Sequence, residues 1–312
     1  MLRSTTTIIL ALVAATAALA AEPVFPPGSR IGLVPPPSMK PARGVAGFQD
    51  PATGAAIVTM EMPAEAFQSV AAGFADQALK SQGFTLKSRD KVMIGKSEAT
   101  LVSGEQAENG RNVPKSVLLT SDGTLTAMVI AQLPVGAPQA ARDEVNAALR
   151  TVALRAPLTT EQQVAALPFK LGDTAGFRPV RAMAGSALLM TDGPKDVVRE
   201  AEQPIMIVAQ SFAPGPSTPE QRDLFAKQAL VANSMLKDTV YERAQGFRLG
   251  GAEWHEIVAK GKDGTSGQPV IVMQTIRFAP DGYLRMLGVA REEKRDDVMP
   301  RFRRIVDGVA LK

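Results

Sequence analysis

The sequence predicts an α+β protein of two similar domains, each an antiparallel β-sheet flanked by α-helices. Three observations carry that prediction. The chain of 312 residues repeats itself with a period of roughly 157 residues. Each copy holds an Asp-Gly dipeptide between two strand-like runs, the strongest short-range hairpin signal. Each copy also closes on a helix-periodic segment.

The repeat is an ordered series of short matches. Ile94-Gly95-Lys96-Ser97-Glu98 matches Leu249-Gly250-Gly251-Ala252-Glu253, Ser121-Asp122-Gly123-Thr124-Leu125 matches Pro280-Asp281-Gly282-Tyr283-Leu284, and Thr151-Val152-Ala153-Leu154 matches Gly308-Val309-Ala310-Leu311. Val145, Ala148 and Leu149 fall on Phe302, Ile305 and Val306 in the closing helices. Offsets that drift by a few residues are what loop insertions produce. The division that follows is a leader over 1–20, an extended proline-rich lead-in over 21–44 containing Pro35-Pro36-Pro37, a first unit over 45–156 and a second over 157–312.

Each unit opens on an extended segment, residues 56–62 in the first and 204–212 in the second. A helix is expected next. In the first unit it spans 63–82, with Phe67, Val70, Phe74, Ala78 and Leu79 at helical spacing and Gly83 placed to end it. In the second, Thr218 caps, Pro219 takes the first helical position, Gln221 completes a capping box, and Leu224, Val231 and Met235 form the apolar stripe. Then comes a strand opening on Gly-x-x-Glu, and after it the hairpins around Asp122-Gly123 and Asp281-Gly282. The runs Met128-Val129-Ile130-Ala131 and Val270-Ile271-Val272-Met273 are apolar at successive positions, so both sheet faces are expected to be covered. Helices over 139–149 and about 297–306 close the units. Between the units, Thr160 is expected to cap a short helix over 162–166 before Leu167-Pro168-Phe169 starts the second copy.

This order of elements resembles the PsbP-like family, which includes PsbP and DcrB-type proteins, with one family domain per copy. The features that carry the resemblance are the early extended segment, the helix near Phe67 or Leu224, the Gly-x-x-Glu strand, the Asp-Gly hairpin and the closing helix ending in Thr-Val-Ala-Leu or Gly-Val-Ala-Leu. It implies a PsbP-like sandwich and a noncatalytic binding or assembly role. It assigns no functional residue.

The first twenty residues read as an export signal. Met1-Leu2-Arg3 is a short basic start, residues 8–20 are mostly apolar, and Ala18 and Ala20 place small side chains where a signal peptidase inspects them, so cleavage before Ala21 follows. The apolar run is short of the roughly 20 residues a bilayer core needs. The expected location is periplasmic, with no stable membrane span after cleavage.

Composition excludes much chemistry. There is no cysteine and a single histidine, His255, which removes thiol catalysis, disulfides and any site that needs two imidazoles. Thirty-five basic against 31 acidic residues, spread along the chain, give no polybasic nucleic-acid face. In Trp254-His255-Glu256, the second histidine of a zinc-peptidase helix is replaced by Ala259. No Gly-x-Ser-x-Gly elbow occurs. The Ser-x-x-Lys matches at Ser88 and Ser234 lack their companion motifs, and Gly261 to Gly267 has neither Walker spacing nor the acids of a calcium loop.

No catalytic, cofactor-binding or metal-ligating set is therefore assigned. The candidate partner surface is Trp254, Tyr283 and Arg285, which stand where the first unit has Ala99, Thr124 and Thr126. The expected function is a noncatalytic extracytoplasmic protein that binds an envelope protein or small ligand on the second unit or in the groove between units. The rivals are a periplasmic hydrolase using His255 and a purely structural envelope component.

Overall fold

The structure is a computed structural model describing residues 21–183, 185–197 and 201–312. The expected leader and its cleavage point lie outside the described residues. No helix among the described residues is long and apolar enough to cross a membrane.

The first domain runs through β1 (Ile31–Gly32), β2 (Lys40–Pro41), β3 (Gly47–Gln49), β4 (Ala56–Met62), α1 (Phe67–Ala72), α2 (Asp76–Ser81), β5 (Phe84–Ile94), β6 (Ser97–Glu108), β7 (Arg111–Ser121), β8 (Thr126–Gln132), α3 (Gln139–Leu149) and β9 (Ala153–Leu154). The second runs through α4 (Thr160–Ala166), β10 (Phe169–Lys170), β11 (Arg178–Met183), β12 (Ala187–Thr191), β13 (Ile205–Ser211), α5 (Pro219–Val231), β14 (Leu236–Leu249), β15 (Ala252–Asp263), β16 (Pro269–Ala279), β17 (Gly282–Arg291), α6 (Arg295–Gly308) and β18 (Ala310–Leu311).

Each domain has one seven-stranded sheet. The orders are β2-β3-β4-β8-β7-β6-β5 and β11-β12-β13-β17-β16-β15-β14, the same topology twice, and each domain adds a two-stranded pair, β1-β9 or β10-β18. Every pairing is antiparallel. Apolar residues on both faces of the central strands are buried, as the unbroken apolar runs predict. In the second domain Val258, Met273 and Met286 pack with Phe302 and Ile305 of α6, while Ile257, Val272 and Leu287 pack with Ala226 and Leu230 of α5. In the first, Leu101, Leu118 and Val129 pack with Val145 and Leu149, and Val102 and Leu119 with Phe74 and Leu79.

The structure corrects several expectations. The helix over 63–82 is broken in two. Gly73 closes the first part through its N–H on Val70 O, Ala75 is extended, and the turn drives Phe74 into the core with Leu79 and Phe84. Gly83, at φ 75°, ends the second part as expected. The capping box of Thr218 and Gln221 is present, but α5 stops at Val231, and Leu224 and Val231 are exposed while Ala226 and Leu230 are buried. The helix is rotated because His255, Gln274 and Arg285 stand among the apolar residues of the sheet beneath it, and Asp223 and the carbonyls of Ala226 and Ala229 face them. The junction helix is capped by Thr159 rather than Thr160, through a capping box with Gln162.

Strands β5 and β14 were not expected. They are edge strands with mostly exposed side chains, so they lack the alternation that marks a half-buried strand. The hairpins form where expected, with Gly123 at φ 83°. They differ in length: the first closes on Ser121↔Thr126 and the second on Ala279↔Gly282. The register therefore aligns Ser116 with Met273 and Ala131 with Gly288, two residues off the match between the dipeptides.

Residues 21–44 are more than a lead-in. Ile31 pairs with Leu154, Val24 bridges to Leu33, Ile31 and Leu33 are fully buried, and Lys40–Pro41 joins the main sheet. This segment is the counterpart of 162–183, where Phe169 pairs with Leu311 and Arg178–Met183 forms the sheet edge. The first unit thus begins well before residue 45. Packing draws the proline-rich stretch in because β9 needs a partner.

Candidate functional site

The three residues expected to form a partner surface do not share one. Trp254 pairs with Arg277, and Arg277 with Leu284. Residues opposite one another on an antiparallel sheet share a face, and neighbours along a strand do not. Trp254 is thus on the Leu284 face, toward α6. Tyr283 and Arg285 lie on the other, toward α5. Trp254 donates from Nε1 to Leu249 O at 3.1 Å and stacks on Phe247 at 6.2 Å between centroids. Tyr283 packs edge-on to Phe225 at 5.1 Å, within the α5 cluster.

Arg285 ties the helix to the sheet. Its Nε donates to Gln274 Oε1 at 2.9 Å and its Nη2 to Ala229 O at 2.8 Å, while Gln274 Nε2 donates to Ala226 O at 2.8 Å. Ala229 O is in the last turn of α5, where carbonyls lack intrahelical partners and the helix dipole favours a cation. Burial pulls the Arg285 guanidinium below its ordinary pKa. The hairpin register at Asp281-Gly282 would have revealed this placement, since it sets Arg285 opposite Ile276.

His255 lies in the same row, opposite Ile276, with 2 % of its surface exposed. Its Nε2 and Asp223 Oδ1 on α5 are 3.1 Å apart. The carboxylate that a hydrolase reading requires is thus present. The ring, however, is buried beneath α5, and Thr275 on the neighbouring strand pairs with Glu256, so its hydroxyl faces away. The pair holds α5 down. The hydrogen bond from Lys227, and after it that from His255, keeps the Asp223 carboxyl below its usual range.

Open space is found between the domains. Two cavities of about 390 and 480 Å³ adjoin there, both lined by Pro27, Gly44, Val45, Ala46 and Gly185. Small residues make the approach possible. A Cβ added at Gly44 would lie 2.8 Å from the Phe212 ring, and one at Gly185 3.0 Å from Pro27 O. Arg43 of the β2–β3 turn reaches Asp281 of the β16–β17 turn at 3.5 Å. On the floor of the first cavity Gln210 Oε1 is buried without a hydrogen-bond partner among the described residues. Sequence reasoning named the groove but none of these residues. A polar Gln210 between the sheet residues Ala209 and Ser211 carries no signal by itself.

No protein family and no curated protein matches the chain. Among solved structures, similarity covers 93% of this chain and 97% of the apo immunity protein TplEi of T6SS from Pseudomonas aeruginosa, at 14% identity and a TM-score of 0.40. It covers 46% of this chain and 83% of LpqN, involved in cell envelope biogenesis of Mycobacterium tuberculosis, at 14% identity and 0.36. It also covers 46% of this chain and 93% of the cyanobacterial PsbP of Synechocystis sp. PCC 6803, at 13% identity and 0.34.

Proposed function

We propose that this chain is a noncatalytic, periplasmic binding protein whose two PsbP-like domains, meeting near residue 157, hold a protein partner in the groove between them. Export through the leader before Ala21 belongs to the same reading. One observation carries it: the groove is lined from both domains, by Arg43, Val45 and Ala46 of the first and by Pro168, Gln210 and Phe212 of the second. The lone histidine, by contrast, is committed to holding α5.

The test places a photo-crosslinking residue at Val45, half exposed and shared by both cavities, and a control crosslinker at Leu224, exposed on α5. A discrete adduct formed in the native envelope from position 45 and not from 224 is the expected result. Equal adducts from both, or none from 45, would refute the groove. Fractionation and N-terminal sequencing of the mature protein check the location and the Ala21 start.

A further inference from the structure

One place in the fold is filled in the first domain and open in the second. Arg155 N donates to Arg30 O at 2.9 Å, and Lys312 N donates to Pro168 O at 3.0 Å. With the pairings Ile31↔Leu154 and Phe169↔Leu311, this sets Pro168 in the place of Arg30 and Leu167 in the place of Ser29. On the sheet, Glu61 pairs with Ala127 and Gln210 with Leu284, again equivalent positions.

The first domain completes this end of its sheet with its own chain. Ser29 Oγ donates to Glu61 Oε1 at 3.2 Å and the Arg30 main-chain N–H donates to the same oxygen. The Arg30 guanidinium donates to Thr124 Oγ1 at 2.8 Å and Arg155 O at 3.1 Å, and lies 4.0 Å from Asp122. In the second domain Leu167 brings no hydroxyl, and Pro168 brings neither an N–H nor a cation. Gln210 Oε1 is left without a donor among the described residues, and the acid of the β16–β17 turn, Asp281, is 72% exposed. The 390 Å³ cavity occupies this place.

We propose that this cavity takes an arginine side chain from a protein partner, its guanidinium on Asp281 and its stem beside Gln210, Phe212 and Pro168. The proposal rests on the groove reading and names the chemistry that the groove selects. Arginine fits better than lysine because its planar fork matches a carboxylate with two hydrogen bonds. Two cations already line the cavity. Lys312 is engaged, donating to Ala165 O. Arg43 is a displaceable placeholder, because its contact with Asp281 is long and exposed on both sides.

The full chain, labelled for amide NMR, is titrated with N-acetyl-arginine amide and with N-acetyl-citrulline amide, which has the same shape without the charge. The arginine compound is expected to shift the Gln210 and Asp281 amides and to bind at least about tenfold tighter than citrulline, a difference in the range of one charge-assisted pair. Asp281→Asn should abolish that preference, and Arg43→Ala should tighten arginine binding. Equal affinities, or a preference that survives Asp281→Asn, overturn the proposal, as does weakening by Arg43→Ala. A crosslink from position 45 with no arginine preference leaves the groove standing and removes the arginine. Arginine binding without that crosslink does the reverse.

Discussion

The two domains share a topology but hold their mid-unit helices by opposite means. Beneath α1 and α2 the first sheet presents Thr100, Val117 and Met128. Beneath α5 the second presents His255, Gln274 and Arg285 at the same register positions. In the first domain apolar packing does most of the holding, aided by Arg89 on Asp76 and Gln106 on Gln82 O, and the helix breaks at Gly73 to bury Phe74. In the second, hydrogen bonds of His255, Gln274 and Arg285 stand among the apolar contacts and fix the orientation, and the helix runs unbroken with Leu224 turned outward. Apolar contact tolerates many rotations of a helix. A buried guanidinium tolerates one, because its donors need acceptors at fixed places.

The largest expected effect tests the opposite face, where the domains exchange size between strand and helix. Ala131 faces Val145 in the first; in the second, Gly288 leaves room for Phe302, whose ring would lie 2.6 Å from an added Cβ. Phe302→Ala should cost about 3–5 kcal/mol. Gly288→Ala should cost about 1–3 kcal/mol by overpacking, and combining it with Phe302→Ala should recover part of the loss. Chemical denaturation of the four proteins measures this, and strict additivity would show that the exchange is not a coupled one.

Transplanting the first domain's residues sharpens the comparison further. Arg285→Met alone strands Gln274 Oε1 and Ala229 O and should cost about 2–3 kcal/mol. Adding Gln274→Val removes one of those unpaired groups, so the double variant should be more stable than the single. Amide exchange of α5 reports whether the helix then rotates.

A smaller effect concerns acid. Because Lys227 and His255 depress the Asp223 carboxyl, its contribution is present above the unfolded value of 3.8 and is lost as pH falls through the lower folded value. Asp223→Asn should therefore reduce the urea midpoint near neutrality and leave a shallower decline as pH falls below 3.8. Equal slopes for variant and parent would remove Asp223 from the tie. Smallest of all, Arg43→Ala should change stability by no more than about 1 kcal/mol, as an exposed pair does.

What was legible in the sequence had local causes. Asp122-Gly123 and Asp281-Gly282 force tight returns, Thr218 and Gln221 satisfy the first N–H groups of α5, and Val145, Ala148 and Leu149 are buried like Phe302, Ile305 and Val306. What was not legible depends on remote partners. Residues 21–44 and 162–183 are counterparts, but insertions between Phe169 and Ile205 shift them far from the main period, and only pairing with Leu154 and Leu311 reveals them. Tyr283 and Arg285 were read as surface anchors because those residue types favour interfaces. The groove was foreseen as a place, while Arg43 meets Asp281 beside Gln210 only through the docking of two domains.

The outer strands β5 and β14 carry a consequence for how any partner attaches. Both are bulged, at Leu86/Ser88, Lys237/Val240 and Tyr241/Arg243, and both are studded with charge, including Lys87, Arg89, Lys91, Lys237 and Arg243. Bulges and charges of this kind refuse a foreign strand. Neither sheet can be lengthened from outside on that edge, so a partner lying along β5 or β14 must be read by side chains rather than by a shared backbone ladder.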